Sequence, residues 1–88
     1  MALELRWDAR VPEGLRPLPE VERRRVLRTI LALADDLTPA GARPLPGKPQ
    51  WFRLQDGPFS ILYAMDAADS TLTVYAVTQD GELLGPDD

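Results

Sequence analysis

The chain of 88 residues is long enough for one ordinary domain and too short for two. It contains no Cys and no His, which excludes disulfides, thiolate nucleophiles, Cys-based zinc sites and the usual neutral-pH general base. All ten basic residues lie at or before Arg53 and seven acidic residues follow it, so a polyanion would have to bind the first part of the chain.

The first segment, residues 2–7, alternates apolar with charged side chains, which predicts a β-strand with one buried face. It has no basic stretch followed by an apolar one, as a secretion signal would have. No apolar run in the chain approaches the roughly 18 residues that suggest a membrane span. We therefore expect one soluble, cytoplasmic domain over residues 1–88, with no membrane association.

A long amphipathic helix is predicted over residues 19–37. The preceding residues 11–19 hold three prolines and a glycine, which allow only a short helical turn or two, docked on the core through Leu15 and Leu18. Apolar residues recur at helical spacing along one side of the long helix, so that side should face the core. They are Val26, Ile30, Leu33 and Leu37, with Leu27, Leu31 and Ala34 beside them.

The second half of the chain has the pattern of a β-meander. Residues 42–50 hold three prolines and Gly47 and are predicted to form a loop. Strands are expected at residues 51–55, 59–66 and 71–78, followed by a tight turn at residues 80–81 and a frayed acidic end. With the first strand included, the order predicts an α+β fold, in which a short and a long helix pack on a mainly antiparallel four-stranded sheet.

Several motifs now fall in one order along the chain. Arg43-Pro44-Leu45-Pro46-Gly47 precedes Trp51-Phe52-Arg53-Leu54-Gln55-Asp56-Gly57, and Ile61-Leu62-Tyr63-Ala64-Met65-Asp66 follows. Together with the opening strand and the helical pair, this series resembles the RelE/ParE superfamily of toxins from bacterial toxin–antitoxin pairs. The resemblance covers the chain to about Thr78. It implies a β-α-α-β-β-β fold, a cognate antitoxin as partner and an intracellular target such as messenger RNA on the ribosome. We expect no cofactor and no metal.

The resemblance also implies where catalysis would occur. Members that cleave messenger RNA use basic residues on the sheet, because cationic donors must stabilise the pentacoordinate phosphate and the leaving oxygen. At the matching strand positions this chain has Trp51, Arg53 and Gln55, of which only Arg53 is basic. Ser60 stands where an arginine is expected, and Gln79-Asp80-Gly81-Glu82 stands where a basic pair is common. We therefore expect the ribonuclease cluster to be largely missing.

Arg53 is the leading candidate for a catalytic or binding role, with a solvated or ion-paired strand arginine as the equal alternative. Arg43 and Lys48 would extend a positive patch beside it, although loop charges are more often only solvated. Trp51 and Phe52 should point to opposite faces of their strand, and the exposed one would suit base stacking or a protein contact.

Two further sets of residues have a functional and a structural interpretation. Tyr63 is a candidate acid or base, but its alternation with Phe59 and Ile61 favours packing. The helix arginines would bind RNA or an acidic partner, or simply form a solvated face with Glu20 and Arg24 as a local pair. These arginines are Arg23, Arg24, Arg25 and Arg28. The aspartates Asp66, Asp69 and Asp80 sit at strand ends, where turn capping is favoured over metal binding.

Three hypotheses for function remain open at this point. The chain is a toxin-like member of an antitoxin pair, a non-catalytic inhibitor that binds its target as the gyrase-inhibiting ParE branch does, or a degenerate domain kept for protein interaction. The loss of positive charge favours the second and third over a ribonuclease that cleaves messenger RNA.

Overall fold

Seven helices and strands follow one another in a computed structural model that describes residues 4–36 and 38–79. They are β1 (Glu4–Trp7), α1 (Arg10–Leu15), α2 (Glu20–Ala32), β2 (Ala42–Leu45), β3 (Lys48–Asp56), β4 (Phe59–Asp66) and β5 (Thr71–Gln79). The expected α+β class is confirmed. Leu37 and the predicted turn and tail at residues 80–88 lie outside the described residues.

The sheet has five strands in the order β1-β5-β4-β3-β2, so the prediction of four strands was one too few. The missed strand, β2, lies within the segment predicted to be a loop. It pairs with β3, which is longer than predicted and begins at Lys48 in the same segment. Prolines suggested a loop, but β2 is an edge strand, where a missing N–H removes no ladder bond from the sheet interior. Gly41 and Gly47 adopt φ values of 94° and 72°, and so permit the turns on either side of β2.

The first strand joins the meander at its far edge, beside β5. It runs parallel to β5, with Leu5 opposite Leu72 and Trp7 opposite Val74, whereas the other three strand pairs are antiparallel. The two helices between β1 and β2 form a connection long enough for the chain to return to the opposite edge. The sheet is therefore mixed but mainly antiparallel.

Helix α2 packs its predicted apolar stripe into the core. Val26, Ile30 and Leu33 are fully buried, which confirms their predicted inward orientation. Leu31 was expected beside them but is 56% exposed, because it lies about 100° around the helix from Ile30. Pro19 was expected as the first helical residue but precedes the helix in an extended conformation, with ψ 152°.

The helix also ends earlier than predicted, at Ala32. The next N–H groups make shorter-range bonds: Leu33 donates to the Ile30 carbonyl at 3.0 Å and Ala34 to the Leu31 carbonyl at 3.3 Å. Asp35 and Asp36 follow directly, and carboxylates at the negative end of the helix dipole disfavour further helical turns. No helix among residues 4–36 and 38–79 combines the length and apolar character needed to cross a bilayer.

The core lies between the helices and one face of the sheet. Its largest fully buried side chains include Tyr63, Phe59 and Ile61 from β4, with Ile30 and Leu33 from the helix side. Helix α1 approaches β5 so closely that a Cβ at Gly14 would overlap the Val77 backbone carbonyl. The other face of the sheet, which we call the open face, is the one toward which Arg53 and Trp51 project.

Candidate functional site on the open face of the sheet

Strand register brings two arginines together on the open face. Arg43 of β2 lies directly opposite Arg53 of β3, and both residues are exposed. No carboxylate among the described residues forms an ion pair with either one. Two like charges in directly opposed positions repel each other, so this Arg43–Arg53 pair attracts an anionic group.

Lys48 does not join the arginine pair. It lies at the other end of β3, with its ammonium nitrogen 5.8 Å from the centre of the Trp51 ring, within the range of a cation–π contact. The sequence suggested that Arg43 and Lys48 would both extend a patch around Arg53. The structure brings only Arg43 beside it.

The aromatic residues of β3 point to opposite faces, as predicted. Phe52 lies on the core side and stacks on Tyr63, with ring centroids 5.4 Å apart. Trp51 is half-buried on the open face and stacks on Tyr75 of β5, with ring centroids 4.6 Å apart and an interplanar angle of 27°. Strand β4 runs between β3 and β5, and its Ala64, opposite Trp51, is small enough to let the two rings meet above it.

Sequence reasoning missed Tyr75 as an open-face residue. Its neighbour Val74 pairs with Tyr63, and Ala76 pairs with Leu62, so Tyr75 is the extra residue of a β-bulge. The bulge shifts the alternation of β5, and therefore the face on which each later side chain lies. The available sequence signal for this contact was one aromatic residue on each of the two strands that flank β4, but the register that brings their rings together depends on the bulge.

Tyr63 belongs to the core and not to the open face. Its side chain is fully buried, and burial, with a smaller contribution from the charge of Asp36, raises the pKa of Tyr63 to about 12. A phenol with this pKa holds its proton at neutral pH. The geometry favours the packing interpretation of Tyr63.

The position expected to carry a further arginine holds a neutral hydrogen bond. Ser60 is buried, and its hydroxyl donates to the Gln55 side-chain oxygen at 3.3 Å, while the Gln55 amide donates to the Gly57 carbonyl at 2.7 Å. Between Trp51 and Gln79, Arg53 is the sole basic residue. Residues 80–82, part of the segment that stands where the toxin family commonly has a basic pair, lie outside the described residues.

The helix arginines lie on the helix side of the sheet and are not brought together with Arg53. Arg24 pairs with Glu20 at 2.6 Å, as expected for an i,i+4 pair. Arg25 donates to Asp56 at 3.1 Å, and the Thr29 hydroxyl donates to the same carboxylate at 2.8 Å, which ties α2 to the end of β3.

The other two helix arginines differ in what they contact. Arg23 donates to the Leu18 carbonyl at 3.2 Å. Arg28 is exposed, and no partner holds it within the described part of the chain. Three of the four helix arginines therefore have local structural contacts, and Arg28 has none among the described residues.

The chain matches no protein-family model and no curated protein. Its fold is nevertheless close to those of solved toxins. A chain of the archaeal RelE–RelB complex from Pyrococcus horikoshii OT3 superposes with a TM-score of 0.80 at 19% identity, over 94% of this chain and 100% of that one. The RelBE2 toxin–antitoxin complex from Mycobacterium tuberculosis gives 0.77 at 18%, over 90% and 99%. Isolated E. coli RelE gives 0.77 at 15%, over 93% and 88%.

These matches define the class of fold as two helices packed on a mixed five-stranded sheet. The chain has the RelE toxin fold. At identities of 15–19% the likeness concerns the backbone arrangement, and the open-face side chains must be judged on their own chemistry.

Proposed function

We propose that this chain is the toxin-like member of an antitoxin pair and acts by binding its partner and target, not by cleaving messenger RNA. The fold supports the first half of the proposal, since RelE chains of the same fold are found in complexes with RelB antitoxins. Such a pair would operate in the cytoplasm.

The observation that carries the second half is the shortage of cations around Arg53 on the open face. Cleavage of a phosphodiester needs several positioned donors around the developing negative charge, and removal of one such donor costs about a hundred- to a thousand-fold in rate. At the positions neighbouring Arg53, strands β3 to β5 offer Trp51 and the neutral Ser60–Gln55 pair, and the other cation of β3, Lys48, lies at the far end of the strand over the Trp51 ring. Arg43 adds one charge from the edge strand.

The Arg43–Arg53 pair suits an acidic segment of a protein partner. Its two guanidinium groups are exposed and repel each other, and a carboxylate between them would form charge-assisted hydrogen bonds to both. Exposed charge pairs of this kind mainly set partner choice and association rate. The antitoxin is therefore expected to place an acidic residue over β2 and β3.

Expression in cells, with and without the protein encoded by the neighbouring gene, tests the proposal. Growth arrest that the neighbour relieves, with intact messenger RNA in the arrested cells, is the expected result. Arrest with cleaved messenger RNA would contradict the binding mechanism. Absence of both arrest and complex formation would favour a degenerate interaction domain.

The arginine pair is tested in the same complex by substitution. We expect Arg43→Ala and Arg53→Ala each to slow association with the neighbour, and the slowing to shrink at high salt. Arg28→Ala is the matched control, because Arg28 is an exposed arginine on the helix side without a partner among the described residues. Equal effects from all three variants would contradict a specific contact at the Arg43–Arg53 pair, because net charge or a partner contact at Arg28 would then account for them.

A further inference from the structure

A groove of about 360 Å³ opens on the open face beyond the arginine pair. Its walls come from β1, β3, the end of β4, the β4–β5 turn and the first half of β5. The residues that give it chemical character are Arg6, Trp51, Asp66, Asp69, Thr71 and Tyr75. We call it the acidic groove.

The carboxylates of the groove have unused acceptor capacity. Asp66 Oδ1 accepts the backbone N–H groups of Ala68 and Asp69 at 3.0 and 3.3 Å, which is the turn-capping role expected from the sequence. No donor among the described residues reaches Asp66 Oδ2 or the Asp69 carboxylate. Arg6 lines the groove too, but its guanidinium pairs with Glu4 at 3.4 Å. The local balance of charge is therefore negative.

A buried hydroxyl independently indicates a missing partner. Thr71 is 7% exposed and lines the groove, yet its hydroxyl makes no hydrogen bond with the described part of the chain. A buried polar group without a partner destabilises the fold, and such groups are usually satisfied in the functional state. The Thr71 hydroxyl can accept a hydrogen bond from a donor placed in the groove.

The aromatic wall adds a surface that attracts cations. Trp51 and Tyr75 are stacked together, and Lys48 already lies over the Trp51 ring. Aromatic rings attract positive charge, and a planar guanidinium also stacks on or against them. An ammonium group would be attracted to the rings by its charge, but it is not planar and could not stack on them.

We propose that the acidic groove binds the guanidinium group of an arginine side chain of a partner polypeptide. A guanidinium brings five donors and no acceptor, which matches the two aspartate carboxylates and the Thr71 hydroxyl. A phosphate of RNA brings only acceptors and negative charge, which Asp66 and Asp69 repel. The open face thus has a cationic half at Arg43–Arg53 and an anionic half at this groove, so the partner should present both an acidic and a basic residue.

The groove can be tested on the purified chain without any toxicity assay, so the outcome is independent of the proposed function. The probe is a capped Gly-Arg-Gly peptide, and the reference probe has citrulline, an uncharged isostere, in place of arginine. We expect the arginine peptide to shift the amide NMR signals of Thr71, Asp69 and Tyr75 in a saturable manner. The citrulline peptide should bind at least tenfold more weakly.

Variants of the groove make the test specific. The double variant Asp66→Asn with Asp69→Asn keeps the turn-capping oxygen and removes both charges, and should weaken arginine-peptide binding at least tenfold. Thr71→Val, which preserves shape, should weaken it several-fold while the circular dichroism spectrum stays unchanged. Asp35→Asn is the control, since that exposed carboxylate lies outside the groove, and it should have no effect.

Three results would overturn the inference. The first is equal binding of the citrulline peptide, and the second is an unchanged affinity in the double aspartate variant. The third is a single-stranded oligonucleotide that shifts the groove signals when the arginine peptide does not, since it would make the groove a nucleic-acid site. If growth arrest fails but the peptide binds as described, the proposed function is wrong and the groove assignment stands.

Discussion

Replacing Gly14 by Ala tests how closely α1 is held against β5. This change would stabilise an isolated helix by about 1 kcal/mol, because Ala is a better helix former than Gly. Here the added methyl group would overlap the Val77 carbonyl, which belongs to the backbone of β5 and cannot rotate away. Relief requires α1 to move off the sheet, and overpacking of this kind costs about 1–3 kcal/mol.

We therefore expect Gly14→Ala to destabilise by about 1–2 kcal/mol, with a fall in Tm of about 4–8 °C for each kcal/mol in a domain of this size. Thermal unfolding followed by circular dichroism measures it. Glu13→Ala is the control, because Glu13 is exposed on the same short helix and its change should stay within about 0.5 kcal/mol. A rise in Tm for Gly14→Ala would refute the close approach of α1 to β5.

Three further outcomes follow from the core and the turns. Ile30→Ala, at a fully buried position, should destabilise by about 2–5 kcal/mol in denaturant unfolding, and a loss below about 0.5 kcal/mol would mean that the inward face of α2 is wrong. Ser70 adopts a φ of 55°, so Ser70→Gly should stabilise by up to about 1 kcal/mol in the same assay, whereas Ser70→Val should destabilise. Tyr63 should titrate near pH 12, later than an unperturbed phenol, when tyrosinate absorbance is followed. The pKa of Tyr63 is higher in the folded than in the unfolded chain, so the contribution of this residue to stability is complete below about pH 10 and is lost as the pH rises toward about 12. Titration of Tyr63 near pH 10 in the folded state would contradict the burial of this ring.

Local patterns were sufficient to predict α2 and the meander. The stripe of Val26, Ile30 and Leu33 depends only on helical spacing, and the strands β3 to β5 on alternation and turn residues. β2 was missed because proline is a strong local signal for loops, and its tolerance at a sheet edge depends on which strand lies outermost. That position is fixed by the whole topology.

In the candidate site, too, local patterns predicted some features and the rest depended on the topology. Opposite faces for Trp51 and Phe52 follow from strand alternation, and Arg53 could be singled out by composition alone. The pairing of Arg43 with Arg53 needed β2 and its register, and the contact between Trp51 and Tyr75 needed the bulge in β5. The acidic groove combines the β4–β5 turn with β1, which are separated by more than half of the sequence.

Messenger RNA on translating ribosomes, incubated with the purified chain and mapped by primer extension, provides the most direct test of the central claim. The shortage of cations around Arg53 predicts no cleavage above the level of a buffer control, and loss of any residual cleavage in Arg53→Ala. Efficient cleavage by the unmodified chain would contradict the binding mechanism, and cleavage that persists in Arg53→Ala would show that the reaction occurs away from the Arg43–Arg53 pair.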